Sequence, residues 1–367
     1  MIARPRPTTT RPTTTRPTTT RLGPTRLGAA TLAAVVLAGS AACADDLVTD
    51  AAGDPPRTCG PVTAVVADSD VVPLDPAAVP RLPVTVTDAS GDRVTVTDAS
   101  RILAVNLYGS IAEIVFSLGL GDRVVGRDTS TDFPAAAELP VVTPGGHDLS
   151  TEAILALDPT VVLLDDSIGP PEVLDQLRAA GIPLVRVGDE QSLAAVPVHI
   201  REVAAALGVT PAGERLVDRV EGEIAAADRT GTDAGGDGGG DDRPRVAFLY
   251  LRGTAGVYLM GGAGAGSDAM IEAAGGEDAG TAIGLQRFRP LTSEGLIEAA
   301  PDVILVMTKG LESVGGVDGL LALPGIAQTP AGQQRRVIDM DDTILLNFGT
   351  RTGATITALA RAIHECR

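Results

Sequence analysis

The chain has no tryptophan, and phenylalanine and tyrosine together supply only 2% of its 367 residues. Its cores must therefore be packed from Val, Leu, Ile and Ala, which a hydrophobic content of 44% allows. Scarcity makes each aromatic informative. Lysine is nearly missing too: Lys309 is the only one, and the bias toward arginine reads as a compositional trait and not as a site. The sequence has no Walker-type phosphate loop, no nucleophile elbow and no zinc-ligand spacing, so nothing in it points to an enzyme. Gly261 to Gly266 is glycine-rich but follows an expected hairpin, which makes it a weak nucleotide site. Acids outnumber bases, 47 to 29, for a formal charge of −18. Such a surface repels phosphate backbones and argues against nucleic-acid binding.

What is there begins with an export segment. Residues 1–42 hold six arginines and no acid, and Arg-Pro-Thr-Thr-Thr repeats three times from Arg6 to Thr20. That run cannot build a core. An apolar stretch from Leu27 to Gly39 follows, then Ser40-Ala41-Ala42-Cys43. A basic start, a short apolar region and small residues at the cut are a secretory signature, and the stretch is too short to span a bilayer. Cys43 after small residues resembles a bacterial lipobox, with Ser40 where leucine is usual. Lipidation of Cys43 is the expectation; ordinary cleavage nearby, giving a soluble product, is the alternative. Cys59 and Cys366 form an even pair for an oxidising compartment and are expected to be bridged.

Beyond a Pro-rich tether (residues 44–82), Val84 to Thr87 and Val94 to Thr97 alternate in period two around Asp88 to Asp92, which predicts a β-hairpin. From Arg101 the pattern becomes strand, helix, strand, and implies a parallel sheet covered on both faces. An internal repeat carries the most information. Leu149 to Leu164 matches Leu291 to Val306 at a 142-residue offset. Each copy has Ser or Thr before a glutamate, an amphipathic helix, a proline stop and a β-branched strand. At an offset of 144, Arg101 to Gly109 lies over Arg245 to Gly253. The chain therefore divides into a signal segment (1–42), tether and hairpin (43–100), an N-terminal lobe (101–192), a bridging helix with a Gly/Asp-rich insert (193–242) and a C-terminal lobe (243–367). The insert, Gly231 to Asp242, is expected to be flexible.

Two Rossmann-like α/β lobes joined by a long helix, behind a lipoprotein signal, resemble the class III periplasmic binding proteins. These hold siderophores, cobalamin, haem or metal ions in an inter-lobe cleft for ABC-type importers. The resemblance implies an extracytoplasmic protein held at the membrane only by its lipid, a permease dimer and its ATPase as partners, and upstream haem-donor surface proteins. It also implies that one glutamate per lobe, Glu152 and Glu294, meets permease arginines. Symmetric carboxylates would set docking registry; a helix-start role favoured by the dipole is the alternative.

Within that family, His147 in Gly145-Gly146-His147-Asp148-Leu149 and Tyr250 in Phe248-Leu249-Tyr250-Leu251-Arg252-Gly253 resemble the iron ligands of actinobacterial haem-binding lipoproteins, with Arg252 as the arginine that supports the tyrosine. The chemistry agrees, since Tyr and His both ligate haem iron. A phenol near its reference pKa of about 10 needs a ferric ion and a neighbouring guanidinium to favour phenolate. Tyr108, Tyr258, Met260, Phe288 and Phe348 are expected to wall the pocket, with Arg287 and Arg289 for carboxylates. His199 and His364 are expected to be structural. A siderophore or cobalamin binder of the same family is the competing cargo assignment, and a bare-metal binder would need several converging His and carboxylate groups.

Overall fold

A computed structural model describes residues 60–67, 70–234 and 243–365. The chain enters as β1 (Val62–Ala64) and forms the expected hairpin, β2 (Val84–Thr87) against β3 (Arg93–Val96), with Val84 opposite Val96. The Asp88 carboxylate closes the turn by accepting the N–H groups of Ser90 and Asp92, each at 3.0 Å.

The N-terminal lobe runs β4 (Ile102–Val105), α1 (Ser110–Ser117), β5 (Val124–Gly126), α2 (Thr151–Ala156), β6 (Val161–Leu164), α3 (Pro171–Ala179) and β7 (Leu184–Arg186). Its strands are all parallel, in the order β5-β4-β6-β7. Two helices follow, α4 (Ala195–Ala206) and α5 (Thr210–Ala234).

The C-terminal lobe opens with the antiparallel pair β8 (Arg245–Arg252) and β9 (Val257–Met260). It continues through α6 (Ser267–Ala273), β10 (Glu277–Asp278), α7 (Ala279–Ala282), β11 (Arg289–Pro290), α8 (Ser293–Ala299) and β12 (Val303–Met307). Then come α9 (Thr308–Ser313), α10 (Gly316–Leu321), α11 (Pro330–Gln334), β13 (Val337–Met340) and α12 (Thr352–His364). Strand order is β1-β13-β12-β8-β9-β11, with β10 alongside the start of β8.

The repeat seen in the sequence is a repeat of structure. Ser150 accepts the Ala153 N–H at 3.2 Å to start α2, and Thr292 accepts the Gly295 N–H at 3.1 Å to start α8. Each helix leads into a buried strand of its own sheet. Both sheets are covered on both faces, the first all parallel and the second parallel except at β9 and β11. Leu103, Val105, Val162 and Leu164 face an outer core of the first lobe, while Ala247, Leu249, Ile304 and Val306 face an outer core of the second. The alternate residues, Ile102 and Leu163 in one sheet and Val246, Phe248 and Leu305 in the other, join a single inner cluster with α4, α5 and α12.

Two expectations need correcting. The stretch taken as tether is not loose over its described part: β1 adds parallel to β13, Thr63 donates to Asp339 at 2.8 Å, and Val66, Val71 and Ala78 are buried. Without β1, β13 would present an unpaired edge. The Gly/Asp-rich insert, expected from Gly231, also begins inside a helix, because α5 has 25 residues and extends to Ala234. Residues 235–242 lie outside the described residues, as do Cys43, Cys59 and Cys366 with their expected lipid and bridge. Among the described residues no helix is long and apolar enough to cross a membrane.

Candidate functional site

A cavity of ≈ 340 Å³ lies between the two sheets, and nearly all of its wall comes from the carboxyl ends of parallel strands. Leu107 and Tyr108 follow β4, and Thr129 and Ser130 follow β5. Opposite them stand Tyr250 and Arg252 at the end of β8, Met307 and Lys309 at the end of β12, and Asp342, Thr343 and Leu346 beyond β13. Open α/β sheets bind ligands at this end because successive strands leave the sheet there and their loops diverge.

Parity along β8 decides what faces the cavity. Val246 and Phe248 point to the inner cluster, and Tyr250 continues that face to the sheet's rim, where it is half-buried. Its ring packs 6.1 Å from Phe288, which also meets Phe248 at 6.0 Å. Across the hairpin Tyr250 pairs with Leu259, so Leu259 shares its face and lines the cavity. Tyr258 and Met260 pair with Leu251 and Leu249 and pack into the outer core. The expectation that Tyr258 and Met260 wall the pocket is therefore corrected by one residue of register. Phe348 is corrected as well: it is 1% exposed, in the inner core, and Leu346 takes the wall position.

His147 reaches the cavity from an exposed loop between β5 and α2. Gly146, at φ 104°, donates to the Thr143 carbonyl at 3.0 Å, and the Leu149 N–H donates to the Gly169 carbonyl at 2.7 Å. The positive φ is what requires glycine beside the histidine. Neither the His147 imidazole nor the Tyr250 hydroxyl has a hydrogen-bond partner among the described residues. Both can act as donor ligands without breaking an existing contact.

Arg252 lies over the Tyr250 ring, its guanidinium carbon 4.5 Å from the centroid, and donates to Asp342 Oδ2 at 3.2 Å. Asp342 Oδ1 accepts the Lys309 N–H at 2.9 Å. One carboxylate thus ties the ends of β8 and β12 to the segment after β13. The Lys309 ammonium has no carboxylate partner among the described residues, which leaves it as the unpaired cation of this wall. Sequence reasoning passed over Lys309 and Asp342. Asp342 is 90 residues from Arg252, and no local pattern marks it.

The N-terminal wall stands on a buried polar network. Asn106 Nδ2 donates to Asp165 Oδ2 and to Ser110 Oγ, both at 3.0 Å. Asp128 accepts the Asn106 and Thr131 N–H groups at 2.9 and 2.7 Å. Burial outweighs these bonds and pushes the Asp128 carboxyl up to about 6. Burial, then the Asp165 charge, raises the Tyr108 phenol above its usual range. Tyr108 therefore stays a neutral phenol on the cavity wall.

Arg287 and Arg289 line a neighbouring cavity of ≈ 530 Å³ that meets the first at Phe288. Both arginines lack a carboxylate partner among the described residues. Glu152 and Glu294 are exposed on α2 and α8, outside either cavity. His199 and His364 are buried away from the cleft, His364 against the Ala274 carbonyl at 3.1 Å. No group of three or more His, Cys, Asp or Glu residues poised to hold a bare metal ion occurs among the described residues.

One cleft thus receives an imidazole from one lobe and a phenol from the other, with cations at its rim. The chain belongs to the periplasmic binding protein family, whose model matches residues 105–344. It is similar to the solved heme binding protein HmuT, with a TM-score of 0.78 and 42% identity, covering 85% of this chain and 99% of that one. Similar structures of HmuT carry alanine in place of a tyrosine, a histidine or an arginine, the arginine two positions after the tyrosine. The periplasmic heme-binding protein RhuT from Roseiflexus sp. RS-1, in apo form, gives a TM-score of 0.67 at 48% identity, over 72% of this chain and 99% of that one. Among curated proteins, the uncharacterized ABC transporter substrate-binding lipoprotein YvrC of Bacillus subtilis (strain 168) is 25% identical over 284 residues, 77% of this chain and 86% of that protein.

Proposed function

We propose that the protein captures ferric haem outside the membrane and delivers it to an ABC-type importer. The observation that carries this reading is the meeting of His147 from one lobe and Tyr250 from the other at a single cavity. Tyr and His are both haem ligands, and a phenol and an imidazole from opposite walls suit the two faces of one porphyrin. Leu259, Phe288, Met307 and Leu346 supply apolar surface for the macrocycle. Lys309, with Arg287 and Arg289 beyond Phe288, supplies cations for the propionates. The similarity to heme-binding proteins supports the same cargo. Cys43 serves as the lipid anchor, Glu152 and Glu294 meet the permease, and Cys59 is bridged to Cys366.

Haemin titrated into the purified protein is expected to give a Soret band of six-coordinate haem. His147→Ala and Tyr250→Phe are each expected to change the ligation bands and weaken binding, while Lys309→Met weakens binding with the bands intact. Unaltered spectra and affinity in both ligand variants would sink the assignment, and a response to cobalamin or a ferric siderophore in place of haemin would redirect it. Thiol counting on protein lacking residues 1–43 is expected to find no free thiol before reduction.

A further inference from the structure

Among the described residues seven large apolar side chains are exposed to water, and two of them occupy the same place in the repeat. Leu155 is 44% exposed and Ile297 is 53% exposed. They stand at the 142-residue offset, each three positions after an exposed glutamate, Glu152 or Glu294. Residues three apart on a helix are neighbours on one face. Just before each exposed aliphatic, Ile154 and Leu296 are fully buried and anchor the helix to its sheet. Each lobe therefore shows water the same two-part patch, a carboxylate beside an aliphatic side chain. The residue before the α2 cap, Leu149, donates to Gly169 past the end of β6, and Leu291 before the α8 cap donates to Tyr258, which pairs with Leu251 near the end of β8. This puts both patches toward the cleft end of their lobes.

We infer that Leu155 and Ile297 are the apolar half of a duplicated docking surface for the importer's two membrane subunits, each side chain entering a nonpolar recess next to a cation. Duplication selects a partner that presents one surface twice, as a two-fold pair of subunits does. Neither Glu152 nor Glu294 has an ion pair among the described residues, so the complementary surface is basic. A second copy of this chain, with its formal charge of −18, fits that requirement poorly. The carboxylates steer and orient; the aliphatic pair holds the complex once formed, because apolar burial is insensitive to the salt that screens rim charges. The inference rests on the importer reading above but not on the identity of the cargo.

The test uses Leu155→Ser with Ile297→Ser in the full-length protein, with Val198→Ser, a 48% exposed aliphatic outside the repeat, as control. Haemin titration of each purified variant is expected to match wild type. Cells lacking the chromosomal copy and complemented with the double variant are expected to take up haemin roughly tenfold more slowly at limiting protein. The control is expected to restore uptake fully. Raising salt is not expected to rescue the double serine variant, whereas it narrows the gap between wild type and Glu152→Gln with Glu294→Gln. Normal uptake by the double serine variant overturns the inference. So does a wild-type dimer in sedimentation that the two serines dissociate, since the patch would then serve self-association. Absence of haemin binding by wild type defeats the cargo assignment instead, and the same cells assayed for cobalamin or ferric-siderophore uptake still read the docking surface.

Discussion

Arg252 acts on Tyr250 from above the ring, and its hydrogen bonds go to the Leu251 carbonyl and to Asp342. The guanidinium is thus held over the ring by a carboxylate 90 residues away in sequence. On the haem reading, Arg252→Ala removes the cation beside the phenol and should weaken haemin binding about tenfold. Asp342→Asn keeps an acceptor for the guanidinium and should weaken binding less. Haemin titrations of the two variants would decide; equal losses would mean that the arginine acts only when the carboxylate holds it in place.

At the scale of elements, Asp128 joins the end of β4 to the loop after β5, and its titration is a test of that junction. The carboxyl titrates near 3.8 when unfolded and near 6 when buried. Between those values the native state holds the extra proton, so stability falls as pH rises from about 4 to about 6 and is level above that. The drop is on the order of 3 kcal/mol. Asp128→Asn should abolish this slope. At neutral pH two effects oppose each other in the variant: the amide avoids burying a charge, but its single oxygen cannot accept both N–H groups that the carboxylate holds. Burial lowers the His199 pKa, so that residue contributes a slope of the opposite sign as pH falls. Denaturant unfolding of wild type and variant at the same pH values removes its effect by difference, and parallel curves would refute the buried-carboxyl account.

Elements were also what the sequence made most legible. The hairpin, the repeated helix-Pro-strand units and the long bridging helix each leave a local pattern of period, cap and stop. Tyr250 and His147 were legible because rare residues stood in recognisable surroundings. Tyr258 and Met260 were misplaced because the alternation of a short strand tells two faces apart but not which one is wet. β1 was missed because three residues beside Pro61 resemble tether, and only pairing with β13 makes them a strand. Asp342 and Lys309 join the site through three strand ends that are neighbours only in the folded sheet.

For the whole molecule, the question is how freely the lobes move, and the inner core argues that they move little. α5 packs along α12 and α4, and one apolar cluster runs through both lobes. A polar clasp reinforces it at the back of the cleft. Glu113 on α1 is fully buried; its Oε2 accepts from Arg351 Nε and Nη2 at 3.0 and 2.9 Å, and its Oε1 accepts from the Arg351 N–H and the Thr350 hydroxyl at 2.8 and 3.0 Å. Ser117 and Thr350 hydroxyls meet at 2.7 Å, and Asn347 donates to the Tyr108 carbonyl at 2.7 Å. Glu113→Ala takes that carboxylate from a largely covered guanidinium and leaves the Arg351 N–H and Thr350 hydroxyl without their acceptor, and should lower stability by about 2–4 kcal/mol. Glu113→Leu with Arg351→Met should recover only part of this, since the backbone N–H of residue 351 and the Thr350 hydroxyl still lose their acceptor. The same clasp should make wild-type X-ray scattering superimpose with and without haemin. Glu113→Ala should show a larger radius of gyration when empty and contract on loading. Contraction of the wild type on loading would mean that neither α5 nor the clasp restrains the lobes, and that capture proceeds by closure of a hinge.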